Sequence, residues 1–158
     1  MERYLTIVTA VGAGVVGGVM FAFSTFIMTG LGRLEPAQGI TAMQAINREA
    51  PNFWFMTALF GTALTSIVLA VVSVVRHDGS AVYAVIACAL YLVGIILTIV
   101  YHVPHNNALD AIDPTAADSA AYWRDYVSGW TGWNHVSTAD AAMALTVRTW
   151  FHPVHPDT

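Results

Sequence analysis

Three long stretches without a charged residue set the terms for this chain. No Asp, Glu, Lys or Arg occurs in the 29 residues 4–32, the 26 residues 50–75 or the 31 residues 79–109. About 20 apolar residues are enough to carry a helix across the hydrocarbon of a bilayer. Lipid offers backbone N–H and C=O groups no partner, so a spanning segment satisfies them internally as a helix. The expected spanning cores are residues 5–28, 53–75 and 82–101. Composition agrees: 56% of residues are hydrophobic and 10% charged, where a soluble domain carries about 25% charged. All six basic residues are arginine and the net charge is -4. No basic stripe is therefore present to neutralise phosphates, and nucleic-acid binding is excluded. The single cysteine, Cys88, lies in an apolar run and rules out an internal disulfide framework or thiolate cluster.

A fourth span is expected at residues 133–151. It is interrupted by Asp140 and Arg148, with Asn134, His135, Ser137 and Thr138 crowding its start. Arg148 sits near its end, where a long side chain snorkels to the interface, and Trp130, Trp133 and Trp150 fall where an aromatic belt sits. Asp140 then has to face protein or water. An amphipathic helix lying on the membrane surface is the alternative.

The turn at 76–80 is short enough only to join antiparallel neighbours. Four spans place both longer connections, 33–51 and 102–132, on the face opposite the termini. Arginines divide evenly between the faces, and the termini are assigned to the cytoplasmic side of a multi-pass protein of the cell membrane. A cleavable signal peptide fits the N-terminus poorly, because the apolar stretch far exceeds the roughly 7–15 residues of such a core. The expected fold is all-α: a single four-span domain over residues 1–158, a four-helix transmembrane bundle with a longer loop between helices three and four.

Ala10, Gly14, Gly18 and Ala22 recur every fourth residue, a ladder that permits close approach by a neighbouring span or by a second copy in a homo-oligomer. Gly12, Gly14, Gly17 and Gly18 have no strand before them and no phosphate ligand after, so they are not a nucleotide loop.

Candidate chemistry collects around the second long connection. His102, His105, Asn106 and Asn107 follow the third span, while Trp123, Tyr126, Trp130, Trp133, Asn134 and His135 lead into the fourth. Both groups reach one membrane face, where they can line an aromatic pocket with amide donors and a titratable imidazole, as a planar hydroxylated substrate requires. The alternative is an interfacial collar, since Trp and Tyr gather at headgroups. Residues 41–49 read as a short helix with Met43 and Ile46 on one side, so Asn47 either caps it or faces the pocket. A metal on His102, His105 and His135 is a further reading. Pro104 takes the first two off a regular helix face, however, and no carboxylate completes a ligand set.

The segments GVMFAFSTFIMTGL at 18–31, MQAIN at 43–47, PHNNAL at 104–109 and WTGWNHVST at 130–138 resemble the anthrone oxygenase family of small four-span membrane proteins. The last two are the most specific. The chain departs from the family pattern at Thr29, His102, His105 and Ser137, where members commonly carry Pro, Asn, Leu and Arg. The resemblance implies oxidation of an anthrone-like or hydroquinone-like polycyclic aromatic by dioxygen, without metal or flavin. A substrate methylene that loses a proton becomes electron-rich enough to reduce oxygen, leaving the protein to bind, deprotonate and exclude water. On this reading His135 is the general base, and Asn134 and Asn107 stabilise the enolate oxygen. Asn47, Asn106, Trp123, Trp130 and Trp133 bind the substrate. A non-catalytic membrane protein or subunit, pairing through its small-residue face, is the reading from another class.

Overall fold

The computed structural model describes the backbone of residues 2–150 apart from 78 and 80, and side chains over 3–135 with the same two exceptions. The expectations placed on the side chains of Ser137, Thr138, Asp140, Arg148 and Trp150 lie outside these described residues. So do those on the tail containing His152 and His155.

Every described element is helical. In order they are α1 (Glu2–Ala22), a π-helical turn (Phe23–Ile27), α2 (Met28–Leu31), α3 (Pro36–Glu49), α4 (Phe53–Val75), α5 (Ala81–Leu97), a second π turn (Thr98–His102), α6 (Val103–Asp110) and α7 (Ser119–Trp150). Three continuous helical stretches are long and apolar enough to cross a membrane: Arg3–Leu31, Phe53–Val75 and Ala81–Asp110. They coincide with the three charge gaps. Their outward residues are also apolar, with Val8, Val11 and Val15 on α1, Leu64, Val68 and Val71 on α4, and Val93, Ile96 and Val100 on α5 and its π turn all exposed. A chain with so much apolar outer surface is suited to lipid.

Local signals explain the boundaries. Pro36 opens α3 at a position where a missing N–H costs nothing. Asn52 both closes α3 and opens α4: its Nδ2 donates to the Glu49 carbonyl at 3.0 Å, and its Oδ1 accepts from the Phe55 N–H at 3.0 Å. His77, just past α4, takes a left-handed φ of 54°, which ends a helix sharply.

Most of the connection expected at 102–132 is helical. The backbone runs from the second π turn straight into α6, and α7 begins at Ser119, well before Trp133. Pro104 does not break the path, because the π turn has already displaced the α-helical pairing there. The Val103 N–H bonds the Thr98 carbonyl five residues back, and Pro104 falls in the first turn of α6. His102 and His105 are therefore three apart on one helical path, contrary to the expectation that proline separates their faces. Only 111–118 is non-helical in this region. There the Thr115 N–H and hydroxyl both donate to Asp113 Oδ1 at 2.8 Å. Those bonds, the backbone one foremost, hold the Asp113 carboxyl below its usual range, so the turn loosens only as pH falls through that lowered value.

Among the described residues, two packed clusters form the interior. Ala13 and Val16 of α1 meet Leu59 and Ala63 of α4 and Tyr91 and Ile95 of α5, with the Tyr91 hydroxyl donating to the Leu59 carbonyl at 3.0 Å. The close helix approach is at Gly12, where any Cβ would strike the Thr62 side chain. The expected ladder is elsewhere: Gly14 and Gly18 are exposed, and a Cβ on either would meet nothing. The second cluster joins Met28, Ile40, Met43, Leu109, Trp123, Tyr126 and Trp130. It contains Trp123, Tyr126 and Trp130 of the aromatic residues singled out above.

Candidate functional site

At 3.6 residues per turn, Trp123, Tyr126, Trp130 and Asn134 share one stripe of α7, and all four are buried. Each neighbouring element supplies a partner. From the first π turn, Phe23 packs on Trp130 with ring centroids 5.4 Å apart. From the second, His102 packs on the same indole at 4.7 Å. The two π turns thus converge on Trp130, and π turns inside α-helices occur often at functional sites. On the other side α3 presses against α7, where a Cβ on Gly39 would sit 2.7 Å from the Trp123 ring. Gln44 fastens α3 to the end of α6 by donating through Nε2 to the carbonyls of Leu109 and Ile112 at 2.9 and 3.0 Å. These carbonyls lie at and just beyond the end of α6, where the α-helical pairing stops.

Asn106 is the polar centre. Its Oδ1 accepts two hydrogen bonds of 2.8 Å, one from the Tyr126 hydroxyl and one from Trp130 Nε1. The Trp130 indole can only donate, which fixes the amide orientation, sets the Tyr126 hydroxyl as a second donor and turns the Nδ2 donors away from them. Asn106 is half-buried, and no hydrogen bond occupies its Nδ2 among the described residues. Around it lie buried polar atoms with no hydrogen-bond partner: Asn47 Nδ2, Trp123 Nε1 and both ring nitrogens of His102. Asn47 faces the Tyr126 phenol and favours its ionised form, although its Nδ2 does not reach good hydrogen-bond geometry there. A buried donor left unmade costs about 1–3 kcal/mol, so a cluster of them marks a place where a ligand's acceptor atoms would be bound favourably. For His102 part of that cost is offset by the Trp130 face, toward which a ring N–H can point.

Of the residues expected to form the site, Asn47, Asn106, Trp123 and Trp130 are brought together here. Asn134 is buried beside them but serves as a tie to the first helix, its Nδ2 donating to the Met20 carbonyl at 2.7 Å and to Ser24 Oγ at 2.8 Å. Asn107 is exposed on α6. Trp133 is 44% exposed and touches Tyr101 at 5.2 Å. His135 is exposed. One residue of helix rotates about 100°, and that step takes His135 off the stripe that holds Asn134.

Two residues outside the expected catalytic and substrate-binding set also contribute. Tyr101 stacks on His105 with centroids 3.9 Å apart and an interplanar angle of 23°, and His105 Nδ1 is 2.7 Å from the Tyr101 carbonyl oxygen. The sequence places both histidines, His102 and His105, in the pocket group, and Pro104 counts there only against their pairing as metal ligands. Among the described residues, no group of three or more His, Cys, Asp or Glu side chains is gathered closely enough to hold a metal.

The sequence model described as anthrone oxygenase matches residues 51–147, more than half of the chain and all of α4 to α6. No curated protein and no solved structure matches.

Proposed function

Because the chain belongs to the anthrone oxygenase family, we propose that it is a multi-pass membrane oxygenase that converts a planar polycyclic carbon acid, an anthrone or a related hydroquinone, to the quinone with dioxygen. The observation that carries this reading is the Asn106 amide, locked by Tyr126 and Trp130 with its donors unspent beside an aromatic cluster that takes in the ends of two of the apolar helices, at Met28 and Leu109.

The reaction balances without an added reductant. A ring methylene gives up a proton, and the electron pair left on carbon delocalises into the ring carbonyl as an enolate. That carbanion reduces dioxygen and forms a C–O bond, giving a hydroperoxide once the terminal oxygen is protonated. Loss of the remaining C–H proton breaks the O–O bond, so that CH2 and O2 become C=O and H2O. A hydroquinone would instead yield quinone and hydrogen peroxide. The protein's part is to hold the flat ring between indoles, to direct an amide donor at the enolate oxygen, and to keep water away so that this bond is strong. Dioxygen, being apolar, dissolves readily in the surrounding hydrocarbon. Under 18O-labelled dioxygen, the new quinone carbonyl should carry label. An unlabelled product formed with stoichiometric peroxide would replace the oxygenase reading with an oxidase one.

In the same reading α7 supplies a fourth span, all four spans form one domain, and both termini are cytoplasmic. Cysteines introduced at Glu2 and Asp157 in a Cys88→Ala background should label from the same side of sealed vesicles. Labelling from opposite sides would remove the fourth span. The outward-facing Gly14 and Gly18 favour a second reading, in which copies of a non-catalytic protein pair along α1. It takes over if no substrate supports oxygen uptake and cross-linking through α1 captures a dimer.

A substrate held against Asn106 is on the buried side of α7, whereas His135 is exposed on another face. The proton acceptor for such a substrate is therefore to be sought nearer Asn106.

A further inference from the structure

We propose that His105 is that proton acceptor, acting as a pair with the adjacent Asn106; the proposal rests on the oxygenase reading above. The tautomer of His105 is fixed by its backbone partner. A backbone carbonyl can only accept, so His105 Nδ1, 2.7 Å from the Tyr101 carbonyl oxygen, must carry the proton and donate it. In the neutral ring this leaves the lone pair on Nε2. No hydrogen bond reaches Nε2 among the described residues. An imidazole with one nitrogen tied to a carbonyl and the other open is arranged to take a proton.

The ring is also held in place. Tyr101 stacks on it at 3.9 Å, and Tyr101 is itself seated against α7, where Gly129 leaves room for the phenol: a Cβ there would lie 2.7 Å from the hydroxyl oxygen. Trp133 flanks Tyr101 at 5.2 Å, and beside it a Cβ on Gly132 would meet nothing, so this side is open. His105 is half-buried, between the enclosed His102 and the exposed His135. It alone of the three combines a fixed tautomer with access.

Proton bookkeeping closes on this one residue. Nε2 takes the first methylene proton, and the carbanion that forms is stabilised as enolate by the Asn106 Nδ2 donor. After carbon bonds to dioxygen, the imidazolium returns the proton to the terminal peroxide oxygen. Nε2 then takes the second C–H proton as the O–O bond breaks, and the departing hydroxide receives it and leaves as water. The ring ends neutral, as it began.

The test is oxygen uptake with anthrone by the full-length protein in lipid nanodiscs, comparing wild type with His105→Ala, His105→Asn and His135→Ala. A positioned base contributes about 100- to 10,000-fold, so both His105 variants should lose that much kcat, and added imidazole should restore part of it to His105→Ala. The asparagine variant can still donate to the Tyr101 carbonyl but offers no base, so it reports on chemistry even if the alanine variant folds poorly. Wild-type rates in His105→Asn would reduce His105 to a structural tie and overturn the proposal. Loss of uptake in His135→Ala with both His105 variants active would move the acceptor to His135 and overturn it equally. An inactive wild type would instead overturn the oxygenase reading itself.

Discussion

Replacing Asn106 with leucine should cost both stability and turnover. Leucine keeps the same branched outline and number of heavy atoms, so the main change is chemical. What disappears is the acceptor shared by the Tyr126 hydroxyl and Trp130 Nε1, and both of those side chains are buried. A buried donor stripped of its partner costs about 1–3 kcal/mol. Two such losses together take a large share of the roughly 5–15 kcal/mol that holds a typical domain folded, and the thermal midpoint of solubilised protein should fall accordingly. Asn106→Asp separates structure from chemistry. Its carboxylate still accepts from Tyr126 and Trp130, so the fold should survive. It has no Nδ2 donor, however, and sets a negative charge against the developing enolate. Turnover should fall by about 100- to 1,000-fold, as when an oxyanion donor is removed. Uptake by Asn106→Asp at the wild-type rate would detach this residue from the chemistry.

The second large effect is expected at Gly39, and it is steric. A Cβ there would lie 2.7–2.8 Å from three atoms of the Trp123 ring, and Trp123, only 2% exposed, has nowhere to retreat. Something must move, and the element able to move is α3. If it shifts, Ile40 and Met43 leave the core and Gln44 loses its two carbonyl partners, Leu109 on α6 and Ile112 just beyond it. Overpacking of this kind costs about 1–3 kcal/mol, so Gly39→Ala should lower the thermal midpoint and expose 36–49 to protease. Gly14→Ala is the matched control, because a Cβ there meets nothing and alanine favours helix by up to about 1 kcal/mol over glycine. Equal behaviour of the two variants would mean that α3 is not seated on Trp123.

The charge gaps made the three apolar helices legible, because a helix in lipid cannot tolerate unpaired charge and the gaps are much longer than a span requires. The aromatic stripe of α7 was also present in the sequence as the spacing of Trp123, Tyr126, Trp130 and Asn134. The sequence alone leaves it open between a pocket lining and an interfacial collar, because aromatic residues near a membrane have a ready interfacial explanation. The π turns left no mark. Each needs only one displaced hydrogen bond, Met28 to Phe23 or Val103 to Thr98, and no residue type signals it. That omission mattered most at Pro104, which in an ordinary helix breaks the path but after a π turn simply starts the next helix. His102 and His105 were separated on that ground. The choice among asparagines was likewise out of reach. Asn106, Asn107 and Asn134 are chemically identical in the sequence, and only packing makes the first a locked donor, the second an exposed residue and the third a tie to Met20 and Ser24.

The claim at the centre of this account is that the protein itself catalyses oxidation of a planar carbon acid by dioxygen. Oxygen consumption by the purified full-length protein in nanodiscs, with anthrone as substrate and protein-free nanodiscs as the reference, tests it most directly. The expected result is saturable uptake well above the reference, with one quinone formed per dioxygen consumed and no peroxide released. Uptake no faster than in protein-free nanodiscs, for anthrone and for a panel of substituted anthrones and hydroquinones, would contradict it.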